Sequence, residues 1–476
     1  MKLSRLLAAA GLCFSSQFST GDTIIKGADI SWLSEMENSG YRFYSDAGVQ
    51  QDVLQILKQH DMSAVRLRVW VNPPGGYYNG LDDVIAKANR AKAAGMKIMI
   101  DFHYSDNWAD PGQQNKPAAW ANLSFQSLMD TLWAYTRNSL MTLRDAGITP
   151  DWVQVGNETN NGMLWPDGQA SANMRNYAWL TATGYNAVKD VFPHTPVIVH
   201  LANCHDNANF RWIFDGLSNN GGKFDIIGAS SYPLHATNHS WQSANAACLN
   251  NLNDMVSRYG APVMITEVGV PWDHPEAKTI VGDVISKVRA VNNSMGLGIF
   301  YWEPQAYGGW KGYTLGAFDN SGRPTAALDA FLDPGSSAGG SARLQSRRSG
   351  KCIDVPGANQ ASGTGLIQYT CHSNANQQWA AENLSGGYLR LKVAHSGKCM
   401  DIASASTADS VRVVQADCSN SNRQQWLKED MGSGYYRLKN RHSGKCADVN
   451  GASTANEAIL IQYTCGSGTN QQWINH

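Results

Sequence analysis

One motif, repeated three times at a constant step, leaves the C-terminal part of this chain few ways to fold. The segments SGKCIDV, SGKCMDI and SGKCADV place cysteines at 352, 399 and 446, a step of 47 residues. A second block keeps the same step: IQYTC to Cys371, VQADC to Cys418 and IQYTC to Cys465. Each is followed by Gln-Gln-Trp, ending at Trp379, Trp426 and Trp473. Open solenoids are usually built from helical or leucine-rich repeats. These repeats carry short β-like runs and glycine turns, so a closed threefold β architecture fits better. Its axis needs large residues, and the three tryptophans supply them. The cysteines within a repeat are 19 residues apart, which suggests one disulfide per repeat: Cys352–Cys371, Cys399–Cys418 and Cys446–Cys465. No CxxC spacing occurs, which argues against a zinc site.

The other end begins MKLSRLLAAAGLCFSSQFSTGDT. Lys2 and Arg5 precede an apolar run, Leu6 to Phe14, too short to span a bilayer and followed by small residues. Residues 1–20 read as a signal peptide, cleaved between Ser16 and Thr20, and Cys13 leaves with it. No other run is long enough to cross a membrane. A secreted protein with eight remaining cysteines favours disulfides. Besides the six in the repeats these are Cys204 and Cys248, either a fourth bridge or two free thiols. A formal net charge of −1 gives no reason to expect nucleic acid or an anionic membrane as partner. A monomer is the expected state.

The Gly/Ser stretch 333–341 separates residues 342–476 from a longer region, 21–332. There, β-like runs alternate with helix-like segments such as LDDVIAKANRAKAAG. The runs are Ile24–Ile30, Ala64–Val71, Lys97–His103, Trp152–Glu158, Pro196–Ala202, Asp225–Tyr232, Pro262–Val268 and Gly298–Glu303. Eight β-runs, each followed by a helix-length segment, predict an α/β fold, a (β/α)8 TIM barrel, ahead of the β-rich repeats. KGADISWL, after the first run, is not the Gly-rich phosphate turn of a doubly wound sheet.

Barrel enzymes work where the strands end. Glu158 closes the fourth run and Glu267 stands near the end of the seventh. Two acids at one barrel mouth suit glycoside hydrolysis: one protonates the departing oxygen while the other attacks the anomeric carbon or activates water. An anionic nucleophile needs a cation nearby. Arg66 and Arg68 alternate with Val65, Leu67 and Val69, so both arginines point into the barrel. Arg66 is the candidate neighbour of Glu267, against a purely structural ion pair. His103, Asp106, Trp108 and Asp110 crowd the loop after run three; the two aspartates suit either substrate contact or turn capping. Tyr232 ends run six. Trp302 and Glu303 end run eight, and Trp302 suits either a sugar platform or core packing. With 16 Trp and 18 Tyr in the chain, stacking on sugar faces is an available use.

Both regions resemble known families. GADISWL, VRLRVWVNP, DFHYSDNWADPG, GNETNNGMLWP, TEVGVPW and FYWEP are similar to glycoside hydrolase family 53, the endo-β-1,4-galactanases of clan A, from about Lys26 to Leu332. The resemblance implies Glu158 as acid/base, Glu267 as nucleophile and retention of configuration. It also implies substrate contacts from Arg66, His103, Trp108, Asn157, Tyr232 and Trp302, with Asn157 on the sugar 2-hydroxyl. Ala202 departs from the family, where an acid is expected. The repeats resemble the ricin B-type β-trefoil of family 13 carbohydrate-binding modules. That implies sugar pockets at Asp354, Tyr369, Asn376 and Gln377 in repeat one, and at Asp448, Tyr463, Asn470 and Gln471 in repeat three. Repeat two keeps Asp401 and Gln424 but has Ala416 for the aromatic and Arg423 for the Asn, so its pocket is expected to be weak or dead.

The expected partner is therefore a polysaccharide, β-1,4-galactan. No cofactor is indicated. Asp and Asn are plentiful in the mouth loops, which leaves a family-type structural calcium open, but no EF-hand-like spacing appears. The rivals are another clan A endo-glycanase, a xylanase or mannanase, and a galactan-binding lectin that has lost catalysis.

Overall fold

The computed structural model describes residues 24–332 except 47, and 342–475 except 373, 385, 386 and 433. The leader, Cys13 and the Gly/Ser linker fall outside the described residues.

Eight parallel strands close into a barrel: β1 Ile25–Asp29, β2 Ala64–Val69, β3 Lys97–Phe102, β4 Trp152–Val155, β5 Val197–Leu201, β6 Ile226–Ser231, β7 Val263–Val268 and β8 Gly296–Trp302. Helices α1 Leu33–Asn38 and α2 Val53–Gln59 follow β1. Then come α3 Leu81–Ala93, α4 Phe125–Asp145, α5 Ala170–Val191, α6 Asn207–Asn219, α7 Trp241–Tyr259, α8 Ala277–Arg289 and α9 Ala326–Asp329, one after each remaining strand. All eight expected runs are strands. The fourth is shorter than its apolar pattern suggested: it stops at Val155, three residues before Glu158.

Alternation along the strands sorts side chains between two cores. Val65, Leu67 and Val69 of β2 pack outward with the helices. Ala64 faces inward and joins Met99, Trp152, Ile198, Ile226, Met264 and Phe300 in an apolar plug near the strand starts. The plug is tight: a Cβ on Gly27 would lie 2.4 Å from the Phe300 ring. Two residues further along the same strands stand Arg66, Asp101, Gln154 and His200, all buried. The barrel therefore has a dry base and a polar layer above it. Register shifts in the β6–β7 and β7–β8 ladders break the alternation, and the bulge turns Glu267 toward the interior.

The described residues of 342–475 form thirteen short strands, with every pairing among them antiparallel. Leu344, Leu391 and Leu438 share their core with Trp379, Trp426 and Trp473. Each indole N–H donates to a backbone carbonyl at an equivalent place: Ile353 at 3.2 Å, Met400 at 3.1 Å and Ala447 at 3.3 Å. The intra-repeat disulfides pair as the spacing suggested. Cys204 and Cys248 are also joined. Cys248 sits within α7, so this bridge ties the loop after β5 to a helix.

Candidate active site

Arg66 stands above the plug with three carboxylates around it. Its guanidinium lies 2.8 Å from Asp29 Oδ2, 2.8 Å from Asp101 Oδ2 and 3.0 Å from Glu267 Oε1. It also donates to Gln154 Oε1 at 3.2 Å and Asn157 Oδ1 at 2.8 Å. Burial opposes the Arg66 charge, but Asp101, Glu267 and Asp29 outweigh it and hold the group above its ordinary value. Taking one partner from such a buried set costs about 3–5 kcal/mol.

Glu267 is 5% exposed, and its second oxygen accepts the Tyr232 hydroxyl at 2.9 Å. Glu158 sits on a turn, not a strand. Gly156 and Glu158 have φ of +82° and +46°, a conformation that strains a non-glycine residue. Gln114 pins that turn, its amide donating to the carbonyls of Asn157 at 2.8 Å and Glu158 at 3.3 Å. Carboxylate oxygens of Glu158 and Glu267 come within 4.8 Å of each other.

The partners of the two acids differ. Glu158 Oε1 accepts the Ser230 hydroxyl at 2.6 Å, and Ser230 Oγ lies 2.8 Å from His200 Nε2. With the Ser230 proton given to Glu158, the imidazole must donate from Nε2. Burial holds His200 well below its ordinary value, so it is neutral. Burial lifts both acids, Glu158 to about 7 and Glu267 to about 8, the second helped by the charge of the first. The two buried acids share one proton, and the direct partners of each decide where it rests. A guanidinium at 3.0 Å and a phenol hydroxyl favour the anion on Glu267, whereas Glu158 has no cation within ion-pair distance among the described residues. The pair near neutrality is one acid, Glu158, beside one anion, Glu267.

Of the other residues singled out in the sequence, His103 is spent inside the protein. Its Nδ1 accepts from Trp70 Nε1 and the Ala109 N–H, both at 3.3 Å, and its Nε2 lies 3.0 Å from Asp101. It orients Asp101 instead of presenting a nitrogen to the cleft. Asn157 gives one amide proton to the Ala109 carbonyl at 2.8 Å and keeps the other. Asp106 accepts from the backbone of Asn72 and Ala118, and Asp110 from Gly112, the capping alternative for both. Trp302 and Trp108, each partly exposed, pack edge-on with centroids 5.9 Å apart, and Trp32 contacts both. Arg68 lies 4.3 Å from the Trp108 ring centroid, a cation–π contact, and 3.4 Å from buried Glu303. Asp29, Asp101, Gln114, Gln154, His200 and Ser230 were not picked out beforehand. The inward positions two residues past the plug were the signal for Asp101, Gln154 and His200; nothing local marks Ser230 or Gln114. Glu158, His200 and Glu267 also cluster closely enough for a metal ion, but both His200 nitrogens are engaged, Nδ1 accepting from the Gln154 amide and the Glu158 N–H.

In the threefold unit, Asp354 accepts from Asn376 at 3.1 Å and Gln377 at 2.7 Å. Asp448 accepts from Asn470 at 2.9 Å and Gln471 at 2.8 Å. Tyr369 lines a hollow of about 620 Å³ with Asp354 and His372, and Tyr463 is 44% exposed. In repeat two, Gln424 alone donates to Asp401, at 2.8 Å, while the Arg423 Nε stands 3.5 Å off.

The family model for glycosyl hydrolase family 53 matches residues 25–280 and 275–331. The chain belongs to glycosyl hydrolase family 53. A second model, ricin-type beta-trefoil lectin domain-like, matches residues 331–416, 376–462 and 422–476, so this family 53 protein carries a C-terminal ricin B-like domain. The endo-beta-1,4-galactanase of Bacillus subtilis is 34% identical over 310 residues, covering 59% of this chain and 70% of its own. The arabinogalactan endo-beta-1,4-galactanase of Humicola insolens is 35% identical over 306 residues, 59% of this chain and 89% of its own. A solved fungal beta-1,4-galactanase structure superposes with a TM-score of 0.60 at 32% identity, spanning 65% of this chain and 99% of that one. The family 53 barrel and the solved one thus correspond over nearly the whole of the latter.

Proposed function

We propose that this protein is a secreted, retaining endo-β-1,4-galactanase that cuts galactan side chains of pectin, with a lectin domain that keeps it on the polymer. The observation that carries the reading is the asymmetric acid pair: one carboxyl held by a guanidinium, the other by a serine hydroxyl, with oxygens within 4.8 Å. A retaining pair lies roughly 5–5.5 Å apart, whereas an inverting pair needs about 6.5–9.5 Å to admit a water.

Glu267 attacks the anomeric carbon and forms a glycosyl ester as Glu158 gives its proton to the departing O4. Glu158 then takes a proton from water, which cleaves the ester. As the ester forms, Glu267 loses its charge, Arg66 turns to Asp29 and Asp101, and Glu158 ionises. The Tyr232 hydroxyl supports the Glu267 anion, and the amide proton that Asn157 does not give to Ala109 is available to a sugar hydroxyl. Trp302 and Trp108 offer ring faces at the mouth. Four disulfides suit an exported protein, and no helix among the described residues is long and apolar enough to cross a membrane.

The galactan specificity rests on the named relatives, and the stereochemistry on the acid pair, so one experiment reads both. Purified potato-type galactan, xylan and mannan are digested side by side and the anomers followed by NMR at early times. Galactan alone should release oligosaccharides, with the β-anomer first. An initial α-product would overturn the retaining mechanism, and faster cleavage of xylan or mannan would overturn the substrate.

A further inference from the structure

We propose that His60, Asp46 and Asp329 bind a divalent transition-metal ion of the zinc class, at a site separate from the sugar cleft. His60 caps the end of α2, four residues before β2 begins. Asp46 lies on the loop leading to α2, and Asp329 ends α9, the last helix before the linker. One ligand atom from each falls within 4.8 Å of the other two.

The histidine makes this more than a pair of acids. His60 is fully buried. Its Nδ1 lies 2.9 Å from the Ile56 carbonyl, an acceptor, so Nδ1 carries the hydrogen. In the neutral ring Nε2 then presents a lone pair, and it has no hydrogen-bond partner. What it faces is Asp329 Oδ1 at 3.4 Å and Asp46 Oδ1 at 3.7 Å. A lone pair aimed at two carboxylates is repulsive unless a cation lies between them. Both separations exceed a normal N–H···O bond of about 2.7–3.2 Å. They approach the edge of a tetrahedral shell, where ligands each about 2.0–2.1 Å from zinc stand roughly 3.4 Å apart. A ring nitrogen that donates to a backbone carbonyl while its opposite nitrogen takes the metal is the usual support for a histidine ligand. One imidazole and two carboxylates, with water as fourth ligand, suit zinc better than calcium, which takes about 6–8 oxygens.

Bound there, the ion would tie the loop before α2 to the final helix of the barrel. Its effect is on stability, since no residue is shared with the cleft. The test uses the full-length protein stripped with a chelator and titrated calorimetrically with Zn²⁺, then with Co²⁺ as a spectroscopic probe. Wild type should take up one equivalent and show the intense visible absorption of four-coordinate cobalt. At a hundredfold excess over Kd its thermal midpoint should rise by roughly 4 °C, with calcium giving no such rise. Asp46→Asn and His60→Gln should each lose uptake and shift, and Asp46→Asn should leave turnover on galactan unchanged. Asp46 is exposed on a loop, so its variant carries the test should His60→Gln fail to fold. No uptake by wild type would leave a protonated His60 paired with two acids and overturn the proposal. So would uptake that persists in Asp46→Asn or that disappears in Glu158→Gln, which would put the ion in the cleft.

Discussion

The barrel and the trefoil both bury carboxylates at their proposed sugar sites, yet they hold them in opposite ways. Asp354 and Asp448 are 3% and 5% exposed, and their close donors are side-chain amides. Glu267 is as buried, but its donors are a guanidinium shared with Asp29 and Asp101 and a phenol. An amide can support an acceptor that keeps one state. A carboxylate that must become an ester and return needs a cation that other acids retain when it lets go. The difference separates a site that recognises from one that reacts.

The sharpest way to break that contrast is Glu267→Gln. Turnover on galactan should fall by at least about 10⁴-fold, while retention on insoluble galactan in a pull-down stays at the wild-type level. Loss of both would mean the barrel is the main anchor. Next, Glu158→Gln should slow cleavage of galactan by on the order of 10²–10⁴-fold, and much less for an aryl glycoside whose leaving group needs no proton. Equal losses on the two substrates, read from kcat, would deny Glu158 its role as acid. The double variant Asp354→Asn, Asp448→Asn tests the other side. Release from insoluble galactan should drop roughly tenfold through lost effective concentration, with soluble oligosaccharides cut at the wild-type rate.

Much of this architecture was legible because each unit writes its own period. The 47-residue step revealed the trefoil, and alternation around Arg66 and Arg68 revealed the inward face of β2. The fourth strand was read three residues too long because Gly156 and Asn157 do not interrupt an apolar pattern strongly. The register shift beside Ser230 carries no sequence mark, so its contact with Glu158 could not be seen. His103 looked like a ligand of substrate because density of polar and aromatic residues cannot show that Trp70 and Ala109 already occupy its ring.

Smaller effects sharpen the same comparison. The Ser230 hydroxyl stabilises the Glu158 anion and so lowers its pKa. Burial raises Glu158 above the ordinary carboxylate value, so activity should hold through neutrality and fall at higher pH, where Glu158 loses its proton. In Ser230→Ala that alkaline limb should move to higher pH, read from kcat/KM profiles; an unmoved limb would assign it to another group. Smallest of all, Ala416→Tyr with Arg423→Asn should give repeat two a working pocket. An added stacking face is worth about 0.5–1.5 kcal/mol, a few-fold gain in retention measured by affinity electrophoresis in galactan gels.

The walls that carry the two proposed catalytic acids also differ in how they are mounted. Glu267 is woven into a hydrogen-bonded ladder between two neighbouring strands, so moving it means moving the barrel. Glu158 rides on a left-handed corner past the end of β4, where Gln114 holds its carbonyl and the flanking Gly156 and Thr159 N–H groups donate to Phe102 and His200. Evolution can therefore re-aim the proton donor toward a differently shaped leaving sugar by editing a loop, without disturbing the side of the cleft where the covalent bond is made.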